Sequence, residues 1–143
     1  MTTIAFKGGI MAADKQATSS GCSHGKMTKI FKLDGHLIGV AGDGHACMEM
    51  VRWFNNGAKE DDFPEIQKSE DNGMLMVVTP EKVITFYEKS PLPLIYENDF
   101  AAMGSGRDFA LGAMASGLGA TEAVEVACRF DIYSGNGIDW LAL

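Results

Sequence analysis

The amino-acid sequence predicts an α+β domain of antiparallel strands and helices, and three observations support this prediction. The length of 143 residues suits a single domain, residues 1–143, because domains most often have roughly 100–150 residues. Short β-prone segments occur in pairs around turn residues, as they do in β-hairpins. Strand-like and helix-like segments are segregated along the chain rather than alternating, which favours a layered α+β domain over a parallel βαβ sheet.

The first third of the chain predicts two hairpins. Gly8-Gly9 forms the turn of the first hairpin, whose second strand ends at Asp14, and Asp34-Gly35 forms the turn of the second. Apolar and polar residues alternate in MTKIFKL, the pattern of a half-buried strand. The four predicted strands are Thr3–Phe6, Ile10–Ala13, Met27–Leu33 and His36–Ala41.

Helical spacing then begins at Ala46 and continues to Phe54, and Asn55-Asn56-Gly57 ends this helix. The acidic segment Lys59–Gly73 contains Pro64 and has no clear period, so we expect a loop. The later predicted elements are strands Met74–Thr79, Lys82–Tyr87, Phe100–Met103 and Ile138–Leu143, and helices Arg107–Ser116 and Thr121–Phe130. Thr121 is a suitable N-cap for the last helix, with Glu122 in its first turn.

Composition and charge exclude several classes of protein. The formal charge is −7, whereas a nucleic-acid-binding protein usually presents a basic face. No uncharged stretch approaches the roughly 18 residues of a membrane span, and the first residues do not have the pattern of a secretory signal. Three cysteines without close spacing indicate reduced thiols, so we expect a cytoplasmic protein without disulfides.

Common catalytic and metal-binding motifs are missing from the sequence. Gly104-Ser105-Gly106 is not a dinucleotide-binding fingerprint, because position 109 is Phe where the third glycine would stand. The sequence contains no P-loop, EF-hand loop, paired Cys-x-x-Cys or Gly-x-Ser-x-Gly elbow. The three histidines are scattered over strands and loops, which favours surface positions over a shared metal site.

Thr2 is the residue through which the sequence most directly suggests catalysis. It follows Met1, and removal of Met1 would leave Thr2 with a free α-amine beside its hydroxyl. The unperturbed pKa of an α-amine is roughly 7.7–8.0, so this group can act as a base near neutral pH. A threonine hydroxyl needs such a base to become an effective nucleophile. Taken alone, Met-Thr-Thr is also compatible with an ordinary first strand.

Six short segments carry a family resemblance in the same order along the chain. They are Thr2–Ile4, Ile10–Asp14, Thr28–Leu33, Gly39–Asp43, Ala102–Gly106 and Arg129–Gly135. Together they resemble the proteasome β-subunit family, which includes the bacterial HslV protease. The fifth segment resembles the Gly-Ser-Gly element before the family's third helix, and the sixth resembles its Asp-x-x-Ser-Gly motif.

The resemblance implies the fold of the N-terminal-nucleophile hydrolases, a four-layer α-β-β-α sandwich of two antiparallel sheets. Thr2 would be the nucleophile and its own amine the general base. Lys29 would help to activate the Thr2 hydroxyl, Asp14 would hold Lys29 as its ion-pair partner, and the Gly39 amide would donate to the oxyanion. The residues that would form a hydrogen-bond network near the terminal amine are Ser105, Asp131 and Ser134.

The resemblance also implies a substrate pocket, and it leaves room for a bound ion. Apolar residues occupy the family's pocket positions, which would favour a hydrophobic side chain before the scissile bond; they are Ala17, Met27, Leu37 and Ala41. The chemistry requires no cofactor. HslV-like proteins hold a cation among backbone carbonyls, and a structural sodium ion is an expectation here at the matching residues, Cys128, Asp131 and Ser134.

The chain departs from the family pattern in its outer layers. The first hairpin, Phe6–Met11, is short, and Lys59–Gly73 is too short and too polar for the second helix of the usual pair, so we expect a reduced helical layer. Relatives form stacked homo-oligomeric rings and work with an ATP-dependent unfoldase or a regulatory cap, so these partners are implied together with an unfolded polypeptide substrate. Two alternatives stay open: a small-molecule amidase on the same fold, and a catalytically silent subunit that retains Met1.

Overall fold

A computed structural model describes residues 1–143 as two antiparallel sheets with helices on their outer faces. The strands are β1 Ile4–Lys7, β2 Ile10–Asp14, β3 Gln16–Ser19, β4 Cys22–Lys26, β5 Ile30–Leu33, β6 His36–Gly42, β7 Gly73–Val78, β8 Ile84–Tyr87, β9 Leu94–Tyr96, β10 Phe100–Met103 and β11 Ile138–Ala142. The α-helices are α1 Gly44–Asn55, α2 Arg107–Ala115 and α3 Ala120–Phe130. No helix in the structure has the length and apolar character needed to cross a membrane.

The two large sheets pack face to face and enclose the main core. One sheet has the strand order β10-β1-β2-β11, and the other has the order β5-β6-β7-β8-β9. Ile4, Phe6 and Met11 of the first sheet pack against residues of the second, such as Leu37 and Met76. Because successive residues of a strand point to opposite faces, Ala5 and Ala12 face the helical side instead.

The helices complete a four-layer α-β-β-α sandwich, as predicted. On the five-stranded sheet lies α1, where Cys47, Met50 and Trp53 are buried against β6 and β7. On the four-stranded sheet lie α2 and α3, which bury mainly alanines together with Met114 and Val124. Small alanine side chains let these two helices approach the sheet closely.

The Lys59–Gly73 region forms two short 3-10 turns, Glu60–Asp62 and Glu65–Lys68, and no α-helix. One outer layer therefore consists of α1 alone, in agreement with the reduced helical layer expected from the sequence. Gln67 fixes this segment from a fully buried position, because its side chain hydrogen-bonds both the N–H and the C=O of Gly73.

Three details of the strand prediction are wrong. Met27–Lys29 lies outside β5, which begins at Ile30, and the β3–β4 hairpin and the short strand β9 were not predicted. The β3–β4 hairpin pairs with neither large sheet. The residues of this hairpin are half-buried or exposed. Its sequence therefore does not show the alternation of apolar and polar residues by which a strand packed on a core is predicted.

Candidate active site

Thr2 and Lys29 line one open cavity of about 170 Å³ at the end of the sandwich. The β3–β4 hairpin contributes Ala17 to the wall, and the end of β6 contributes Ala41. Thr2 lies just before β1, and Lys29 just before β5, so the starts of two strands from opposite sheets meet here. The cavity thus joins a hydroxyl group, an amine-bearing side chain and apolar walls.

Asp14 organises one side of this cavity. Its carboxylate is fully buried, and Oδ1 accepts hydrogen bonds from Lys29 Nζ at 2.9 Å and from the Thr3 N–H at 2.9 Å. Oδ2 accepts from the N–H groups of Gln16 at 3.1 Å and Gly135 at 3.0 Å. The strand end, the first residues, the hairpin and the loop after α3 are therefore fixed around one carboxylate.

Lys29 is the cation that this carboxylate holds. Its side chain is 5% exposed, and Asp14 is the one carboxylate within ion-pair distance of it. Burial lowers the pKa of the Lys29 ammonium, against the opposing effect of Asp14, which raises it. A lysine with a lowered pKa loses its proton more readily than a solvated one, while the ion pair with Asp14 favours its charged form.

A second polar network lies at the backbone of Thr2. The Thr2 N–H donates to Ser105 Oγ at 2.9 Å, and Ser105 Oγ donates to Asp131 Oδ2 at 2.6 Å. Ser134 Oγ donates to the same oxygen at 2.6 Å and lies 2.8 Å from Thr3 Oγ1. The three residues predicted to form a network near the terminal amine are thus connected to one another and to the nitrogen of Thr2.

Asp131 stays ionised in this network without a close cation. Burial raises the pKa of its carboxyl, but hydrogen bonds from Ser105, Ser134 and the Tyr133 N–H outweigh that effect, and the net pKa is lowered. The pKa of the Met1 amino group is lowered mainly by burial, while the charge of Asp131 opposes the shift. Burial at this position therefore favours the neutral form of the Met1 amine relative to a solvated amine.

Gly104 and Gly106 allow β1 to start against this network. Gly104 has φ +96°, and a Cβ there would overlap the Thr2 carbonyl. A Cβ on Gly106 would overlap Thr3 Oγ1 and would lie 3.2 Å from Asp131 Oδ2. The Gly-Ser-Gly element thus has a steric reason: only residues without a side chain fit on either side of Ser105.

The predicted pocket and oxyanion positions have mixed outcomes. Ala17, Met27 and Ala41 line the cavity. Leu37 does not line it; its side chain is fully buried in the core between the sheets, which corrects the expectation for that position. The Gly39 Cα also faces the core, where a Cβ would lie 2.7 Å from Ile4 Cγ2, and the oxyanion role of its amide stays a prediction.

The residues proposed for a sodium ion end α3 and begin the following loop. Carbonyls in the last turn of a helix lack intrahelical partners and carry partial negative charge, so the Cys128 carbonyl suits a hard cation. The Asp131 carbonyl already accepts the Ser134 N–H at 3.2 Å but keeps a second lone pair. Backbone carbonyl oxygens are donors of the kind that a hard cation prefers, and sodium binding here stays a prediction. No group of three His, Cys, Asp or Glu side chains is placed to hold a metal ion.

Several residues of the site were not anticipated from the sequence. Cys47 and Met48, at the start of α1, line the cavity, and burial raises the pKa of the Cys47 thiol to about 12, so it serves as an apolar wall. Thr3 and the Gly135 N–H complete the two networks. Their sequence positions could have indicated these two residues. Thr3 follows Thr2, and Gly135 follows Ser134, within segments that carry the family resemblance.

Several solved structures have a fold similar to that of this chain. Thiobacillus denitrificans BPH in complex with epoxomicin has a TM-score of 0.73 and 18% identity, covering 99% of this chain and 97% of that chain. Eukaryotic HslV from Trypanosoma brucei has a TM-score of 0.70 and 19% identity, covering 98% and 97%. A second structure of Thiobacillus denitrificans BPH has a TM-score of 0.65 and 19% identity, covering 99% and 96%.

The likeness lies in the fold rather than in overall sequence similarity. No protein-family model and no curated protein sequence matches this chain. The match to the solved structures extends over nearly the whole chain and includes the two packed antiparallel sheets. This chain therefore has an HslV-like fold.

Proposed function

We propose that this chain is a threonine-type endopeptidase that uses Thr2 after removal of Met1. The observation that carries the proposal is the meeting of two networks at Thr2. Its backbone nitrogen, which becomes the free amine, is hydrogen-bonded to Ser105, while the Lys29–Asp14 pair borders the same cavity. A nucleophile, a base and an adjacent cationic group are the parts that hydroxyl-based acyl transfer requires.

In the proposed reaction the Thr2 amine accepts the proton of the Thr2 hydroxyl as Oγ1 attacks the substrate carbonyl carbon. Lys29 stabilises negative charge at Oγ1, and the Gly39 amide donates to the carbonyl oxygen as it becomes an oxyanion. The C–N bond then breaks, and the proton passes to the leaving amine, which leaves an ester at Thr2. Water attacks this ester with the same amine as base, and the acid product departs.

The substrate is inferred to be an unfolded polypeptide with a hydrophobic side chain before the scissile bond. Apolar residues at the cavity support this choice, chiefly Ala17, Met27 and Ala41, with Met48 beside them. The Met27 and Met48 side chains are unbranched and adaptable, which suits a pocket that accepts more than one apolar side chain.

We further propose a cytoplasmic homo-oligomeric ring as the working form, served by an ATP-dependent unfoldase. The HslV-like fold supports the ring. The reduced helical layer offers less helix surface on which an unfoldase could dock. Exposed apolar residues outside the cavity, such as Phe130 and Ile132, are consistent with further interfaces.

The test compares Thr2→Ala with Thr2→Ser on a fluorogenic peptide with an apolar residue before the cleaved bond. Both substitutions keep a small residue after Met1, so Met1 removal is matched, and intact mass verifies it. We expect Thr2→Ser to retain cleavage and Thr2→Ala to reduce kcat at least 10³-fold, because only the alanine variant lacks a nucleophile. Full activity in Thr2→Ala would refute the proposal.

A covalent probe gives an independent readout. Epoxomicin, the ligand in one of the similar BPH structures, should form an adduct on the Thr2-containing peptide of the processed chain. Protein that retains Met1 should form none, because Thr2 then has no free amine. Adduct formation at another residue would place the nucleophile elsewhere.

A further inference from the structure

The exposed methionines of this chain are confined to the cavity of the candidate active site. Three of the nine methionines are exposed, and their exposed fractions are 56% for Met1, 41% for Met27 and 42% for Met48. All three line the cavity that contains Thr2 and Lys29. The other six methionines belong to the packed cores of the sandwich, where they are buried or half-buried. Removal of Met1 leaves Met27 and Met48 as the exposed methionines of the processed chain.

The helix α1 shows how sharply this exposure is divided. Met48 and Met50 lie two residues apart on α1, which places them about 200° apart around the helix axis. Met48 lines the cavity, whereas Met50 is fully buried against the five-stranded sheet. Met27 lies in the segment between β4 and β5, and its N–H donates to the Lys15 carbonyl at 2.8 Å. The backbone is therefore fixed at both positions, while the side chains remain open to solvent.

We propose that Met27 and Met48 are oxidation sites at which a hydroperoxide converts the apolar cavity wall into a polar one. With hydrogen peroxide, the thioether sulfur attacks one oxygen and the O–O bond breaks, so sulfur loses two electrons and the peroxide gains them. The transferred OH gives its proton to the departing hydroxide, which leaves as water, and a sulfoxide remains. Methionine sulfoxide reductases reverse this change, so the two residues act as a redox switch.

The cysteines do not compete with methionine for the oxidant at this wall. Peroxides oxidise the thiolate form of cysteine, and a raised pKa keeps a thiol protonated. Burial raises the pKa of the Cys47 thiol to about 12 and that of the Cys128 thiol to about 11. Cys22 is exposed, but it lies on β4 and does not line the cavity. The oxidisable sulfur atoms of the cavity wall are therefore those of methionine.

Oxidation should weaken the binding of an apolar side chain in the cavity, and this part of the inference rests on the proposed function. A thioether is apolar and adaptable, whereas a sulfoxide oxygen is a polar acceptor. This oxygen must give up bound water when an apolar group enters, and the apolar neighbours Ala17 and Ala41 offer it no side-chain donor. The oxidised cavity should therefore bind apolar peptides more weakly than the reduced one.

Peptide mass spectrometry after brief treatment with hydrogen peroxide tests the modification itself. The Cys22→Ser chain is used, because it lacks the exposed thiol. We expect sulfoxide to form at Met27 and Met48 at least ten-fold faster than at Met50 and Met76, which peroxide does not reach in the folded chain. In urea all four should react at similar rates, which controls for local sequence. Equal rates in the folded chain would overturn the proposal.

A binding measurement tests the consequence without cleavage. The Thr2→Ala/Cys22→Ser chain, with Met1 removed, is titrated against a fluorescein-labelled peptide rich in leucine. Peroxide treatment should raise the Kd about ten-fold, and methionine sulfoxide reductases should restore it. Adding Met27→Leu/Met48→Leu keeps apolar side chains of similar volume that peroxide does not oxidise, so the Kd should then not change on treatment.

Met74→Leu is the matched control, because Met74 is half-buried in the core and does not line the cavity. This variant should respond to peroxide as its parent chain does. A peptide that does not bind the untreated chain, or that binds equally well after oxidation, would overturn the switch. If oxidation weakens binding but chains that retain Thr2 cleave no peptide, the proposed peptidase activity fails while the oxidation switch stands.

Discussion

Asp14 and Asp131, the two aspartates of the candidate site, bind their surroundings in different ways. Asp14 is fully buried and accepts from one lysine and three backbone N–H groups. Asp131 is 8% exposed and accepts from two serine hydroxyls and one backbone N–H, with no ion-pair partner. The first carboxylate ties together distant parts of the backbone, whereas the second mainly orients hydroxyl groups beside the Thr2 nitrogen.

This difference leads us to expect that Asp14 mainly supports the stability of the fold and that Asp131 mainly supports the proposed chemistry. Loss of Asp14 would leave the buried Lys29 charge and several backbone donors without partners, which is costly anywhere in a protein. Loss of Asp131 would leave hydroxyl groups that can rotate towards other acceptors or water. We therefore expect Asp14 variants to fail mainly in folding and Asp131 variants to fail mainly in catalysis.

The largest expected effect is that of Asp14→Ala. Breaking a buried ion pair from one side costs about 3–5 kcal/mol, because the remaining charge stays buried without a partner. Denaturant unfolding should show this loss, and Asp14→Ala/Lys29→Met should recover part of it by removing the stranded charge. Glu65→Ala is the control, since the exposed Glu65–Lys68 pair contributes at most about 1 kcal/mol. Equal losses in Asp14→Ala and Glu65→Ala would remove the distinction between the two aspartates.

The next effect concerns the approach of β1 to the Asp131 network. Gly106→Ala should destabilise the protein by about 1–3 kcal/mol, because its Cβ would displace Thr3 Oγ1 from Ser134. Gly112→Ala is a matched control within α2: a Cβ there meets nothing within 4 Å. Alanine in a helix interior is favoured over glycine by about 0.5–1 kcal/mol. Thermal unfolding should therefore move in opposite directions for the two variants, and a shift of the same sign would contradict this account.

The sequence predicted the parts of this fold whose pattern reflects burial. In β1, Ile4 and Phe6 face the inter-sheet core while Ala5 faces the helices, so both faces of the strand are buried, and the short β-prone run Thr3–Phe6 predicted it. The β3–β4 hairpin and β9 bury little, so their sequences carry no comparable pattern. Leu37 was assigned to the pocket by position, but its side chain lies in the core between the sheets.

The networks of the candidate site could not be derived from spacing. Ser105 and Asp131 are 26 residues apart and lie before α2 and after α3, so their contact depends on how these helices pack. The family resemblance selected both residues, and the structure supplies the geometry that connects them. Gly104 and Gly106 belonged to the same motif. Glycine is required at these positions because Thr2 and Thr3 lie close to them, which is a property of the folded chain.

A smaller expected effect is the contribution of Asp131 to the pH dependence of stability. Because the folded protein lowers the pKa of Asp131 below its usual 3.8, the unfolded state binds more protons between the two values. The stability that Asp131 contributes is therefore present above pH 3.8 and is lost as the pH falls through the folded value. Asp131→Asn should flatten this acidic part of a stability-against-pH curve and should also lower kcat. Asp108→Asn, at an exposed carboxylate on α2, should change neither, and an unchanged acidic limb in Asp131→Asn would contradict the lowered pKa.

The smallest expected effect concerns Asn136, which connects the loop after α3 to the wall of the cavity. Asn136 follows this loop, and its side-chain amide donates to Ser23 Oγ at 2.8 Å and to the Gly25 carbonyl at 2.9 Å, both on β4. A two-stranded hairpin is marginally stable alone, so these bonds help to hold the wall that carries Ala17. Asn136→Ala should raise KM about two- to five-fold with kcat nearly unchanged, because the wall loosens while the Thr2 networks persist.

Ser23→Ala refines this last prediction, since it removes one of the two hydrogen bonds and leaves the Gly25 carbonyl as acceptor. We expect its KM to lie between those of the wild-type chain and Asn136→Ala. Hydrogen exchange should increase in Gln16–Lys26 for both variants and remain unchanged in β1 and β2. If Asn136→Ala instead lowered kcat with KM constant, the loop after α3 would act on Thr2 itself, and the separation between wall and chemistry would have to be abandoned.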